Sequence, residues 1–320
     1  MISEVEWRHD LHQRGSRWTL GDGRLVVTAR ISRLVCLDPH DGTVNWDVPA
    51  GTWPYGLAHG PGSCLVLPQT PSDLICLDAV HGAVRWRAGL ARYTGHLTVT
   101  TSAVLVGGWR GYTPMTAFEP VTGERLWRTP APVAVQEPFA SGGSVLVAEA
   151  GTGRVQAVDP RTGEAELVGE LPEPVREYDA EPVFVRFDDE RVLLSGQTAL
   201  WELRPADGRF RQLSQAFYGR PPVVVGGQIW LPDGRDALLL DGDGRPCARV
   251  TPAGRFAGAA AVRAGHVVAD SEGHLTLLTP EGGRLGRVRI DRKILAVRNL
   301  DADRILVLGK GSVSAVRIRV

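Results

Sequence analysis

The chain is short of charge imbalance, of cysteine and of long apolar runs. Its 36 basic and 36 acidic residues cancel, so no polyanion-binding surface is expected and nucleic acid is not an expected partner. Of its four cysteines, Cys64 and Cys247 complete no CxxC or Cys/His pattern, and no metal site is expected. No apolar stretch approaches the roughly 20 residues that span a bilayer. The opening Met1-Ile2-Ser3-Glu4-Val5-Glu6-Trp7-Arg8 lacks a basic segment followed by an apolar core. No export signal is recognised; the expected compartment is the cytosol, and no membrane partner is expected. Motifs for a nucleophilic serine, a zinc protease helix, a phosphate loop or a dinucleotide fold are also missing. Asp241-Gly242-Asp243-Gly244 lacks the later bidentate Glu of a calcium loop and reads as a hairpin turn.

What is abundant is punctuation. With 38 Gly, 22 Pro and only 22% charged residues, the composition suits many short strands joined by many turns. The stretch Cys36-Leu37-Asp38-Pro39-His40-Asp41-Gly42-Thr43-Val44-Asn45-Trp46 returns as Cys76-Leu77-Asp78-Ala79-Val80-His81-Gly82-Ala83-Val84-Arg85-Trp86. It returns again with Ala117, Glu119, Gly123 and Trp127 at the same offsets. A fourth copy, Ala157-Val158-Asp159-Pro160-Arg161-Thr162-Gly163, has Leu167 for the Trp; later copies keep the turn and place Gln212 there. The period is about 40 residues, the mark of a repeat architecture.

Each period predicts four strands, the last two joined by this hairpin. The turn Gly supplies a positive φ, the acid accepts hydrogen bonds from turn N–H groups, and the Trp buries against the neighbouring sheet while its indole N–H finds a carbonyl. Cys36 and Cys76 share a place where alanine stands later, so they read as small buried residues. Near the C-terminus only three strands of an eighth unit follow, at 294–297, 304–308 and 312–318, whereas Val5-Glu6-Trp7-Arg8 resembles a last strand without its blade. The expectation is an all-β fold, a single eight-bladed β-propeller over 1–320, four antiparallel strands per blade, closed by the N-terminal strand joining the C-terminal blade.

The pattern Ala/Cys-x-Asp/Glu-x-x-x-Gly-x-x-x-Trp resembles the tryptophan-docking motif of the pyrroloquinoline-quinone-like propeller repeats, shared by quinoprotein alcohol dehydrogenases and an outer-membrane assembly lipoprotein. The resemblance implies the fold. The dehydrogenases of that family carry adjacent cysteines over the cofactor and hold calcium with Glu, Asn and Asp. No adjacent cysteine pair occurs here, so no cofactor is expected. The motif does not fix a function, because one fold hosts many.

Function is expected in the loops that do not repeat. Those ahead of each inner strand and those between second and third strands meet on one face of a propeller. The first set offers Trp53, Tyr55 and His59; Tyr93 and His96; Gln136, Glu137 and Phe139; Tyr178, Asp179 and Glu181; Tyr218 and Arg220; Phe256; Arg292 and Lys293. The second adds Trp109, Arg110 and Tyr112. All five tyrosines of the chain fall in these loops.

Two function classes follow. One is a non-catalytic binding or scaffold protein, expected to be monomeric, holding a partner protein, peptide or small molecule through Trp53, Tyr55, Tyr93, Trp109, Tyr112, Glu137, Tyr218, Phe256 and Arg292. The other is a cofactor-independent lyase, cyclase or isomerase at the channel mouth. It would use His96, Tyr178, Asp179 or Glu181 for proton transfer and Arg220 to hold an anion.

Overall fold

Local turn chemistry, repeated in the first seven blades, builds the molecule. The structure, a computed structural model, describes residues 2–12, 17–177, 182–214 and 220–319. Its strands form eight four-stranded antiparallel sheets, each a blade of a β-propeller. Blade 1 runs from the inner strand Trp18–Gly21 through Arg24–Ala29 and Arg33–Leu37 to the outer strand Val44–Pro49. Blades 2 to 7 span 56–89, 97–128, 139–170, 184–214, 223–250 and 256–289 in the same order. Blade 8 takes three strands from 294–319, and its outer strand is Ile2–Asp10. Trp7 pairs with Ala315, so the ring closes as expected.

The core lies between blades. One buried cluster joins Val26, Leu34, Cys36 and Trp46 of blade 1 to Cys64, Val66, Ile75 and Leu77 of blade 2. The next joins Leu65, Leu67, Cys76 and Trp86 of blade 2 to Leu97, Val104 and Phe118 of blade 3. Each fully buried Val or Leu contributes about 1.5–3 kcal/mol relative to exposure. The inner three strands of a blade are therefore apolar on both faces, while the outer strand alternates, as in the exposed-exposed-buried start of Val44–Pro49.

The Trp of the repeat crosses each junction. Indole Nε1–H groups of Trp7, Trp46, Trp86 and Trp127 donate to the carbonyls of Pro39, Ala79, Pro120 and Pro160 in the next blade, at 3.2, 3.0, 3.0 and 2.9 Å. Each ring lies flat on the turn glycine there: a Cβ on Gly42, Gly82, Gly123 or Gly163 would come within 2.6–2.8 Å of it. These glycines also have φ of 68–78°, a region that a side chain disfavours. The preceding acid organises the turn, as when Asp78 Oδ1 accepts from the Val80 and His81 N–H groups at 2.9 Å. Cys36, Cys64 and Cys76 are buried among the apolar residues of blades 1 to 3.

Candidate functional site

The two sets of loops do meet on one face. Bridges Thr52↔Thr70, Val135↔Glu149 and Val175↔Gly196 each tie a segment ahead of an inner strand to the loop between the second and third strands of the same blade. On this face, blades 2 and 3 bring four rings together. Tyr55 lies 5.6 Å from Trp109, Trp109 meets Tyr112 edge-on at 5.6 Å, and Tyr112 lies 5.8 Å from Tyr93. Arg110 covers the Trp109 ring at 5.0 Å and Arg92 covers Tyr93 at 4.8 Å, positions at which a cation is attracted to the ring face. Gln69, Ser72 and Thr94 pack closely between Tyr55 and Tyr93 and leave no room for a water molecule there.

The backbone explains how the rings get there. Trp109–Gly111 is a single 3-10 turn, and Trp109 rests on Gly95, where a Cβ would lie 2.7 Å from the Trp109 Cβ and 2.9 Å from the Cγ of its ring. Gly95 is thus the seat of the cluster. Eight non-glycine residues have positive φ among the described residues, and seven lie in loops of this face: His12, Arg30, Ile31, Trp53, Tyr93, His96 and Arg110. Such conformations are unfavourable by about 1–2 kcal/mol each and concentrate at functional surfaces. Apolar surface is left in water as well. Trp53 is 62% exposed, Tyr112 54% and Tyr93 41%; Ile31 accepts the Trp53 N–H through its carbonyl and is also exposed.

Inside the channel the chemistry is different. His96 donates Nε2–H to the Val135 carbonyl at 3.1 Å, linking blade 3 to the segment leading into blade 4. Burial holds its imidazole at a pKa of about 4. At neutral pH it is therefore an uncharged strut whose Nδ1 carries the lone pair, and it has no proton there to give as an acid. Burial pushes the Glu137 carboxyl up, against a smaller opposing pull from Arg17. Arg298 stands over Trp18 at 5.3 Å and burial lowers its pKa. Arg186 donates to the Ala140 carbonyl at 2.7 Å and covers Phe139. His59, in the inner strand of blade 2, packs on Gly21 with both ring nitrogens unpartnered.

Of the residues singled out from sequence, Tyr55, Tyr93, Trp109 and Tyr112 form one cluster, Trp53 stands exposed in the loop that carries Tyr55, and Glu137 lies deeper. Phe256 does not belong with them. It is the first residue of the inner strand of blade 7 rather than part of a loop, 5% exposed, and stacks on Trp230 at 6.4 Å in the core between blades 6 and 7. Arg292 and Arg220 are exposed at other blades. Tyr178, Asp179, Glu181 and Tyr218 lie outside the described residues. Sequence reasoning passed over Arg92, Arg17, Arg186, Arg298 and Gly95. A cation next to an aromatic, or within an inner strand, was the available signal for the first four; nothing local marks Gly95.

The quinone and calcium implied by the family resemblance can be tested against these side chains. Cys36, Cys64 and Cys76 are buried within blades and Cys247 is exposed on an outer strand, so no cysteine pair faces the channel. No three His, Cys, Asp or Glu side chains converge as a metal ion needs, among the described residues. Among the described residues, the side chains do not fit that group.

Fold and face together define an eight-bladed propeller with an aromatic, arginine-flanked rim. A family model described as outer membrane protein assembly factor BamB matches residues 70–215. Among solved structures, BamB from Moraxella catarrhalis aligns over 100% of this chain and 98% of its own at 15% identity, with a TM-score of 0.74. A europium-containing methanol dehydrogenase aligns over 99% of this chain and 93% of its own at 10% identity and TM-score 0.74. The quinohemoprotein alcohol dehydrogenase of Comamonas testosteroni covers 98% of this chain and 76% of its own at 13% identity and TM-score 0.72. No curated protein matches. The repeats between residues 70 and 215 match that family model, and over the whole chain the solved structures share the propeller fold.

Proposed function

We propose that the protein is a binding propeller that docks a partner protein on the rim formed by Trp53, Tyr55, Tyr93, Trp109 and Tyr112. The observation that carries this reading is the connected group of half-exposed rings on strained loops, with Arg92 and Arg110 laid over two of them. Rigid aromatics present large contact area at small entropic loss, and binding energy concentrates in Trp, Tyr and Arg. The two arginines favour a partner segment that alternates apolar and acidic residues, its apolar side chains lying on the exposed rings of Trp53, Tyr93 and Tyr112. The match to a family described as an outer membrane assembly factor supports a task of holding other proteins.

Site-specific photo-crosslinking in the producing cell tests this. A benzophenone side chain at position 53 is expected to trap one discrete partner band, whereas one at Val121, in a turn on the opposite face, traps none. Equal trapping from both positions, or none from position 53, overturns the reading.

A further inference from the structure

Four junctions show what the fold places between outer strands: an indole lying on the next blade's turn glycine. Blade 6 carries Ala248 in that place. Ala248 pairs with Leu239 directly before the bulge, as Trp46 pairs with Cys36. A Cβ on Gly282 of blade 7 would run into Ala248, as one on Gly82 would run into Trp46. Thr276, Leu278 and Gly282 stand where Ile75, Leu77 and Gly82 surround Trp46. The space an indole fills elsewhere is open here, as a pocket of about 180 Å³ with Thr276, Leu278 and Gly282 along one side.

Of its other lining residues, Val250 and Thr251 are uncharged and three are cationic: Arg249, Arg284 and Arg287. Acids engage only part of their donors. Arg249 gives Nη1 to Asp233 and Asp236, and Arg287 gives Nη2 to Asp270. The Arg287 Nε–H is buried with no acceptor, and Arg284 makes no ion pair among the described residues. A slot shaped for a flat ring therefore opens beside guanidinium N–H groups that still lack acceptors, and arginine forks match carboxylates.

We propose that the groove between blades 6 and 7 binds an aromatic carboxylate, its ring on Gly282 and Leu278 and its carboxylate on Arg284 and Arg287. This site is separate from the aromatic rim, and its test does not depend on that reading. Isothermal titration of the full chain with indole-3-propionate is expected to show saturable one-site binding. Indole-3-propionamide, and the variants Arg284→Gln and Arg287→Gln, are expected to bind about tenfold or more weakly. Ala248→Trp fills the slot and is expected to abolish binding while raising Tm. A short peptide ending in tryptophan with a free carboxylate separates the sources of this chemistry. Its binding assigns the groove to chain termini; its failure, with indole-3-propionate bound, assigns it to free small acids. No saturable binding of indole-3-propionate to the unmodified protein overturns the proposal, as does undiminished binding to Ala248→Trp. Should that variant not fold, undiminished binding to both arginine variants overturns it equally.

Discussion

The junctions from blade 8 through blade 4 and those from blade 4 through blade 7 are built from the same hairpin and held in different ways. In the first group, Trp7, Trp46, Trp86 and Trp127 each bury a ring on a glycine and satisfy an indole N–H across the gap. In the second no indole crosses among the described residues: Val168 and the buried Leu213 meet the turn glycines Gly208 and Gly244, Leu167 beside Val168 is 56% exposed, and Ala248 leaves an opening. The strained, aromatic loops ride on the first group: the Tyr55–Trp109–Tyr112–Tyr93 cluster sits on blades 2 and 3, the two joined by Trp86. Regular packing below holds irregular backbone above, as a site on a rigid scaffold requires.

Removing residues 1–10 strikes the ring closure and is expected to have the largest effect. Blade 8 loses its outer strand and the Trp7 junction together, and Tm should fall by more than about 10 °C in a calorimetric scan. Trp86→Ala comes next, at about 3–5 kcal/mol in chemical denaturation. Leu167→Ala, at the same sequence offset in blade 4 but exposed and off the next turn glycine, is expected within about 0.5 kcal/mol. Equal losses for these two would erase the distinction between the groups of junctions.

A smaller effect is expected from pH. His96 has a pKa of about 4 in the fold, below its ordinary 6.5. Between those values the unfolded chain binds a proton that the native state refuses, so this contribution is whole above about 6.5 and is lost as pH falls towards 4. His9, His59 and His266 are lowered too and act in the same sense. Denaturation midpoints measured across that range should decline for the wild type and decline less for His96→Asn. Glu137 has the opposite sign: burial raises its pKa, so its contribution fades as pH rises. Glu137→Gln is expected to raise stability slightly at neutral pH. The smallest effect on stability is expected for Gly95→Ala, which displaces Trp109 and should weaken partner binding with little change in Tm.

The fold was legible because its signal is local. Acid, turn glycine and Trp lie within eleven residues, so spacing alone exposed the hairpin, and the echo at Trp7 exposed the closure. The rim was legible only as a list of aromatics, since Tyr55, Tyr93 and Trp109 come from three segments far apart in sequence and only packing shows which of them touch. Phe256 looked the same in the chain and went into the core, because the inner strand of blade 7 begins at that residue. The seat at Gly95, the channel arginines and the opening beside Ala248 depend on neighbours from another blade, which no spacing within one repeat encodes.

The central claim is that the rim binds and the repeat stabilises. Partner crosslinking from position 53, measured in a Tyr93→Ala/Tyr112→Ala background alongside Tm, tests it most directly. The expected result is an unchanged Tm with the crosslinked band reduced at least about 30-fold, the loss of two contacts worth about 1 kcal/mol or more each. An undiminished band at unchanged Tm would contradict it.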